Sequence, residues 1–380
     1  MLDGRSAVTA ATMIGRFEAL RPVLVGQLQR FDAERRLPDE VFAALSGAGF
    51  FRLQCPRDLG GCELSPLEFM EVVEHAAAFD GTVGWLVGNG GGMARVGGYL
   101  PQAGGEAIFA DPGAFVASST AAVGRAVPAE GGYRITGRWP YSSGAPQATR
   151  FAAVCEIEGT EKAVLGVLPR ESVTLHDTWH VSWLRGTGSW DFEAEDVLLG
   201  AEFVCDLPPE PTRPGILYRL PSRSAFVWTV ATVPLGIAKG ALEALAGIGA
   251  SHKRLSGTGP IAGRDGVQAE IGRLTAQCRA AGAYMRAAMQ ALCTAVETGS
   301  DLTETRLDFR LACSNAAEVA VAAVLRVNDL VGARALAEGQ PFERRERDVR
   351  AAAKHTAMSP EQFVIGGRHV LGDDIAEASF

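Results

Sequence analysis

The chain has 380 residues, 47% hydrophobic and 21% charged, with a formal net charge of −8. That is the composition of a globular protein with room for two or three domains. It excludes a nucleic-acid binder, because no Lys/Arg cluster supplies a basic face and the densest run, RRERDVR (344–350), is broken by Glu346 and Asp348.

Residues 14–110 read as helices. Leu20, Val23, Leu24, Leu28 and Phe31 form an apolar stripe at helical spacing. DEVFAALSGAGF (39–50) is a second helix, stopped by Gly47 and Gly49, and LEFMEVVEHAAAFDG (67–81) a third, ending at Asp80-Gly81. From about 113 to 205 the period changes. AVPAEGGYRITGRW (126–139) reads as a hairpin around Glu130-Gly131-Gly132, and FAAVCEI (151–157), AVLGVLP (163–169) and WDFEAEDVLL (190–199) as further strands. So many short strands suggest a small antiparallel barrel or sandwich.

From about 222 the helical period returns. Val267, Ile271, Leu274, Cys278, Met285, Met289, Leu292 and Val296 mark one face, and 304–336 is a second long helix, apolar nearly all round in its second half. The longest apolar run, AFVWTVATVPLGIA (225–238), is short for a membrane span and fits the entry of a buried helix. The expected class is therefore α+β: an N-terminal helical domain (1–112), a central β-barrel or sandwich (113–220) and a C-terminal four-helix bundle (221–380). The first residues, MLDGRSAVTAATMIGRF, lack a basic segment leading into an apolar one, so no signal peptide and a cytoplasmic location are expected.

Seven scattered cysteines without a CxxC pair read as buried free thiols rather than disulfides or a zinc site. GxGxxG after a strand, GxxxxGK[ST], GxSxG and HExxH are all missing. His176 and His180, if both lie on one strand, stand about 13 Å apart, too far to share a metal.

Four stretches, in order, resemble one family. They are CPRDLGGCELSPLEFMEVVEHAAAFDGTVGW (55–85), GRWPYSSGAPQATRF (137–151), DTWHVSWLRGTGSWDFEAEDV (177–197) and RDVRAAAKHTAMSPEQFVIGGRHVLG (347–372). Together they resemble the acyl-CoA dehydrogenase fold and, within it, the two-component flavin-dependent monooxygenases. The resemblance implies reduced FMN or FAD with O2 as co-substrate, a C4a-hydroperoxide, a separate NAD(P)H:flavin reductase, a homotetramer, and no nucleic acid or membrane partner.

A flavin needs hydrogen-bond donors along its ring, an apolar slab and cations or amides for its phosphate. ASST (117–120) and YSSG (141–144) offer the donors, so the resemblance assigns Ser118, Ser142 and Ser143 to the ring, with Ser143 near N5 and counted as catalytic. Trp139 is the expected slab. RGTGS (185–189), with Gly188 and Ser189, is an expected flavin loop, and Arg254 a phosphate ligand. The dehydrogenase branch of the family places a catalytic carboxylate in a C-terminal stretch that here reads QFVIGGRHVLG (362–372) and holds no acid. The monooxygenase branch uses an imidazole, and His355 stands at about that place; it is the expected catalytic residue. Asp348, seven residues earlier, falls on the same face if one helix runs through both, about 10 Å away, and is expected to orient the segment.

Gln147-Ala148 stand where the family usually has His, Ser182-Trp183 replace a glycine, and NGGGMARVGG (89–98) is mostly glycine. These departures suggest a roomy, weakly polar pocket for an aromatic or polycyclic secondary metabolite to be hydroxylated. Three alternatives share the pattern: an N-oxygenase acting on an amine or amino sugar, an FAD-dependent acyl-CoA-type dehydrogenase, and a helical assembly protein without cofactor.

Overall fold

The computed structural model describes residues 8–221, 229–249 and 263–375. They fall into two compact units. One draws on 1–72, 86–181 and 185–226, the other on 73–85, 182–184 and 227–380.

In the first unit, helices α1 (Ala10–Val25), α2 (Leu28–Glu34) and α3 (Asp39–Gly47) precede the sheet. Thr9 caps α1 by accepting from the Thr12 amide at 3.3 Å. Phe17 meets Phe50 edge to face, ring centroids 5.7 Å apart. The chain leaves α3 through Gly49 at φ +90°, a conformation that suits glycine. Helix α4 (Pro66–Phe79) opens on a reciprocal cap. Ser65 Oγ accepts from the Glu68 amide at 3.3 Å, and Glu68 Oε2 accepts from the Ser65 amide at 3.2 Å.

The third helix thus ends at Phe79, and Asp80-Gly81 opens a new one, α5 (Gly81–Met93), inside the glycine-rich stretch. A Cβ on Gly90 would lie 2.2 Å from Phe115, on Gly91 2.7 Å from the Phe50 carbonyl oxygen, and on Gly98 2.2 Å from Tyr218. At Gly90, Gly91 and Gly98 the space a side chain would take is already filled by neighbours, so these three positions themselves open no pocket. Helix α6 (Gln102–Phe109) leads into the sheet.

The β segment forms one seven-stranded sheet in the order β5-β6-β2-β1-β3-β4-β7. The strands are β1 (Val116–Ala129), β2 (Gly132–Ser142), β3 (Arg150–Ile157), β4 (Ala163–Pro169), β5 (Thr174–His176), β6 (Trp190–Gly200) and β7 (Val204–Leu207). The expected hairpin is present, with Ala129 opposite Gly132 and Gly131 at φ +79°. The sheet is mixed rather than wholly antiparallel. After β2 the chain returns on the other side of β1, so β3 runs parallel to β1. His180 lies beyond the end of β5 and is not on a strand, so the strand-based separation from His176 does not apply.

The second unit contains α7 (Val233–Gly249), α8 (Asp265–Thr298), α9 (Thr303–Val331), α10 (Pro341–Ala352) and α11 (Glu361–Val370). Helix α9 is central and touches the other four. Its small buried residues, Ala312, Ala316, Ala317, Ala320 and Ala323, let neighbours approach closely. Helix α7 presses on the end of α4, where Cβ atoms on Gly236 and Gly240 would stand 2.4 Å from the Glu74 carbonyl and 2.0 Å from the Ala78 carbonyl. The apolar run expected to be too short for a span continues as helix through Ile248. At 20 residues, with an 18-residue window of mean hydropathy 1.3, it is long and apolar enough by length and composition, yet 61% of that window is buried inside the protein. It is a core helix.

Candidate active site

Four of the expected flavin-site residues of the first unit converge. β2 ends at Ser142, the turn after it carries Ser143, and the loop entering β6 carries Thr187, Gly188 and Ser189. Ser143 Oγ and Ser189 Oγ are 2.9 Å apart, and Ser189 Oγ and Thr187 Oγ1 2.7 Å. The two loops are also tied by the Gly144 amide, which donates to the Thr187 carbonyl at 2.8 Å. Gly144 at φ +78° and Gly188 at φ +53° allow the turns, and Phe115 stands 2.6 Å from where a Gly144 Cβ would be. All three hydroxyls are buried, and Ser142 Oγ, one residue before Ser143, is fully buried with no hydrogen-bond partner among the described residues. A buried hydroxyl left unmatched is costly unless another group satisfies it. Hydroxyls that both donate and accept suit the mixed donor and acceptor edge of a flavin.

The remaining sequence candidates lie elsewhere. Ser118 stands on β1 opposite Ala152 of β3, half-buried, outside this hydroxyl chain. Trp139 is fully buried and stacks on Phe192, ring centroids 4.9 Å apart and planes 15° off parallel. Its indole N–H donates to the Val154 carbonyl at 3.0 Å, and Cβ atoms on Gly124 and Gly137 would strike its ring at 2.3 Å and 2.8 Å. A ring enclosed by its own sheet has no face for a cofactor. Tyr141, which sequence reasoning passed over, is 64% exposed and meets Trp179 edge to face at 6.3 Å. Its signal is conformational: a non-glycine residue at φ +63°, immediately before the Ser142-Ser143 pair. Arg254 falls outside the described residues. Gln147 is engaged locally and donates to the Leu37 carbonyl at 2.6 Å and to Asp39 Oδ1 at 3.0 Å. A depression of about 290 Å³ lined by residues including Ile108, Asp111, Thr149 and Arg170 contains none of the hydroxyl loop.

In the second unit, His355 lies past the end of α10, not on it. The helix stops at Ala352, and His355 caps a short 3-10 turn, Thr356–Met358. A common helical face for Asp348 and His355 is therefore absent, and Asp348 acts at the other end of the segment. Its Oδ1 accepts from the Leu184 amide at 2.8 Å, while Arg344 Nε reaches Asp80 Oδ2 at 2.7 Å and Asp348 Oδ2 at 3.8 Å. Asp80 Oδ1 also caps α5, accepting from the amides of Thr82 at 3.0 Å and Val83 at 3.2 Å. Gly81 is required beside it, since a Cβ there would be 2.9 Å from Asp348 Cβ. One turn further along α5, Trp85 meets the His355 ring edge to face, centroids 5.5 Å apart. Thus Asp80-Gly81-Thr82-x-x-Trp85 anchors α10 through Asp80 and contacts the imidazole through Trp85.

His355 is half-buried, and burial, with the Arg310 guanidinium second, holds it down to about 4. At neutral pH the imidazole is uncharged. The cysteines are free, and burial pushes Cys55, Cys155, Cys205 and Cys313 up to about 12, so these four are not poised as nucleophiles.

Comparison with known proteins identifies the family. The acyl-CoA dehydrogenase N-terminal domain matches residues 19–107 and the acyl-CoA dehydrogenase C-terminal domain residues 228–360, together more than half of the chain. The chain is 27% identical to indole-3-acetate monooxygenase of Pseudomonas putida, over 91% of this chain and 90% of that one. It is 28% identical to the flavin-dependent monooxygenase oxygenase subunit HsaA of Rhodococcus jostii (strain RHA1), over 95% and 99%. The solved structure of XiaF from Streptomyces sp., in complex with FADH2 and glycerol, superposes with a TM-score of 0.90 at 25% identity, over 98% of each chain. HsaA is named as the oxygenase subunit of a flavin-dependent monooxygenase.

Proposed function

The chain belongs to the acyl-CoA dehydrogenase family, and we propose that it is the oxygenase component of a two-component flavin-dependent monooxygenase that hydroxylates an aromatic or polycyclic substrate. The observation that carries this reading is His355: a neutral imidazole packed on Trp85, in a C-terminal segment where residues 362–372 hold no carboxylate to abstract an α-proton. Bound reduced flavin would supply the electrons that activate O2, one oxygen atom going to the substrate and the other leaving as water. The residues that would hold it are Ser142, Ser143, Gly188 and Ser189, with Ser118 from β1, and Arg254 for its phosphate. Tyr141 takes the place of the enclosed Trp139 as the flat apolar surface. His355 works at the substrate side as a hydrogen-bonding group that is uncharged at neutral pH. A separate NAD(P)H:flavin reductase delivers the reduced flavin, and the aromatic substrate named in the P. putida relative supports the substrate class. We place the enzyme in the cytoplasm as a homotetramer.

The test is direct. With a flavin reductase, NAD(P)H, 18O2 and a panel of indoles and phenols, one product should carry a single 18O atom, and reduced flavin should bind more tightly than oxidised flavin. Absence of flavin binding in both states rejects the reading.

A further inference from the structure

Helix α9 carries two buried polar residues one turn apart, Arg310 (5% exposed) and Ser314 (1%). Both reach to the turn that follows His355. Arg310 Nη2 donates to the Thr356 carbonyl at 3.1 Å, and Ser314 Oγ donates to the Ser359 carbonyl at 3.0 Å. The two donors grip the turn near each end. Between them, the Ala357 amide donates to His355 Nδ1 at 3.2 Å. A ring nitrogen that accepts a backbone N–H cannot carry a proton, so the proton of the neutral ring sits on Nε2.

Arg310 has a further feature. Its Nε and Nη1 are buried and have no hydrogen-bond partner among the described residues. Its positive charge lies near His355 and opposes a second proton on the ring. From α5 the ring is met by Trp85, which is uncharged, and the neighbouring Lys354 is exposed.

We propose that Arg310 and Ser314 are positioning residues that lock His355 as a neutral imidazole with its proton on Nε2, making it a hydrogen-bond donor to an oxygen atom rather than a base. Taking a proton at Nε2 would charge the ring beside Arg310, and shifting the proton to Nδ1 would break the bond from the Ala357 amide. This rests on the monooxygenase reading for its meaning but not for its test.

The test uses the full-length protein without flavin, labelled with 15N-histidine, and long-range 1H–15N correlation. His355 is identified by the signal lost in His355→Gln. The expected result is an Nε2–H tautomer that does not titrate across the ordinary histidine range. Arg310→Met should raise its proton affinity by about tenfold or more, one unit or more of pKa. Arg310→Lys should retain most of the depression, and Ser314→Ala, a milder change if Arg310→Met fails to fold, should introduce the Nδ1–H tautomer. An Nδ1–H ring in the wild type, ordinary titration there, or variants indistinguishable from wild type in tautomer and titration would overturn the proposal. The correct tautomer in a protein that transfers no oxygen would instead sink the functional reading alone.

Discussion

The two candidate regions hold their functional side chains by opposite means. In the first unit Ser143, Ser189 and Thr187 bond to one another, so the side chains themselves form the scaffold. In the second, His355 bonds to backbone, its turn is held by donors from α9, and its ring packs on Trp85. A hydroxyl network can exchange donors and acceptors and so adapt to a changing partner. A clamped imidazole keeps one proton in one place. Each region thus has its own chemistry: exchangeable hydroxyls in the first unit, and one fixed proton in the second.

The largest effect should come from the ion pair behind the clamped region. Asp80→Ala removes the Arg344 partner and the cap of α5 together, and thermal or urea unfolding should report a loss of about 3 kcal/mol, since Asp348 still stands near Arg344. A comparable change of about 3 kcal/mol belongs to pH. His355 is held at about 4 against an ordinary 6.5, so as pH falls below 6.5 the unfolded chain takes a proton that the folded chain refuses. The contribution of His355 should therefore be lost between pH 6.5 and 4; urea midpoints across that range should lose this component of the slope in His355→Ala. His355→Ala should also cut product formation on the order of 100-fold with the fold retained, measured by turnover beside circular dichroism. The smallest effect is expected in the adaptable region. Ser143→Ala leaves Ser189 bonded to Thr187, and reduced-flavin affinity should weaken by about 1 kcal/mol, measured by anaerobic titration. An effect larger than that of His355→Ala would show that the hydroxyl chain, and not the clamped ring, dominates the chemistry.

Local features were legible in the chain. Gly49 takes a left-handed turn, and Glu130-Gly131-Gly132 makes the hairpin, because each depends on residues only a few positions apart. The order of helices, sheet and helices followed from hydrophobic period for the same reason. Trp139 misled because a tryptophan near a Ser-Ser-Gly turn reads the same whether its ring faces a ligand or, as here, Phe192. The glycines of α5 misled likewise, since only their distant neighbours Phe115 and Phe50 reveal that they serve close packing.

By itself, then, the sequence determined the elements, the family and the residue types available for chemistry, all properties of short windows and their order. The tertiary structure alone decided which of those residues face one another. Asp80 and Arg344 are 264 positions apart, and Ser143 and Ser189 are 46 apart. Such pairs form only when packing closes the loops between them, and no local propensity encodes the partner. The same holds for His355. Its place before Pro360 could be read from the chain, but the state of its proton depends on an amide two residues away, on a guanidinium from another helix, and on the burial that both share.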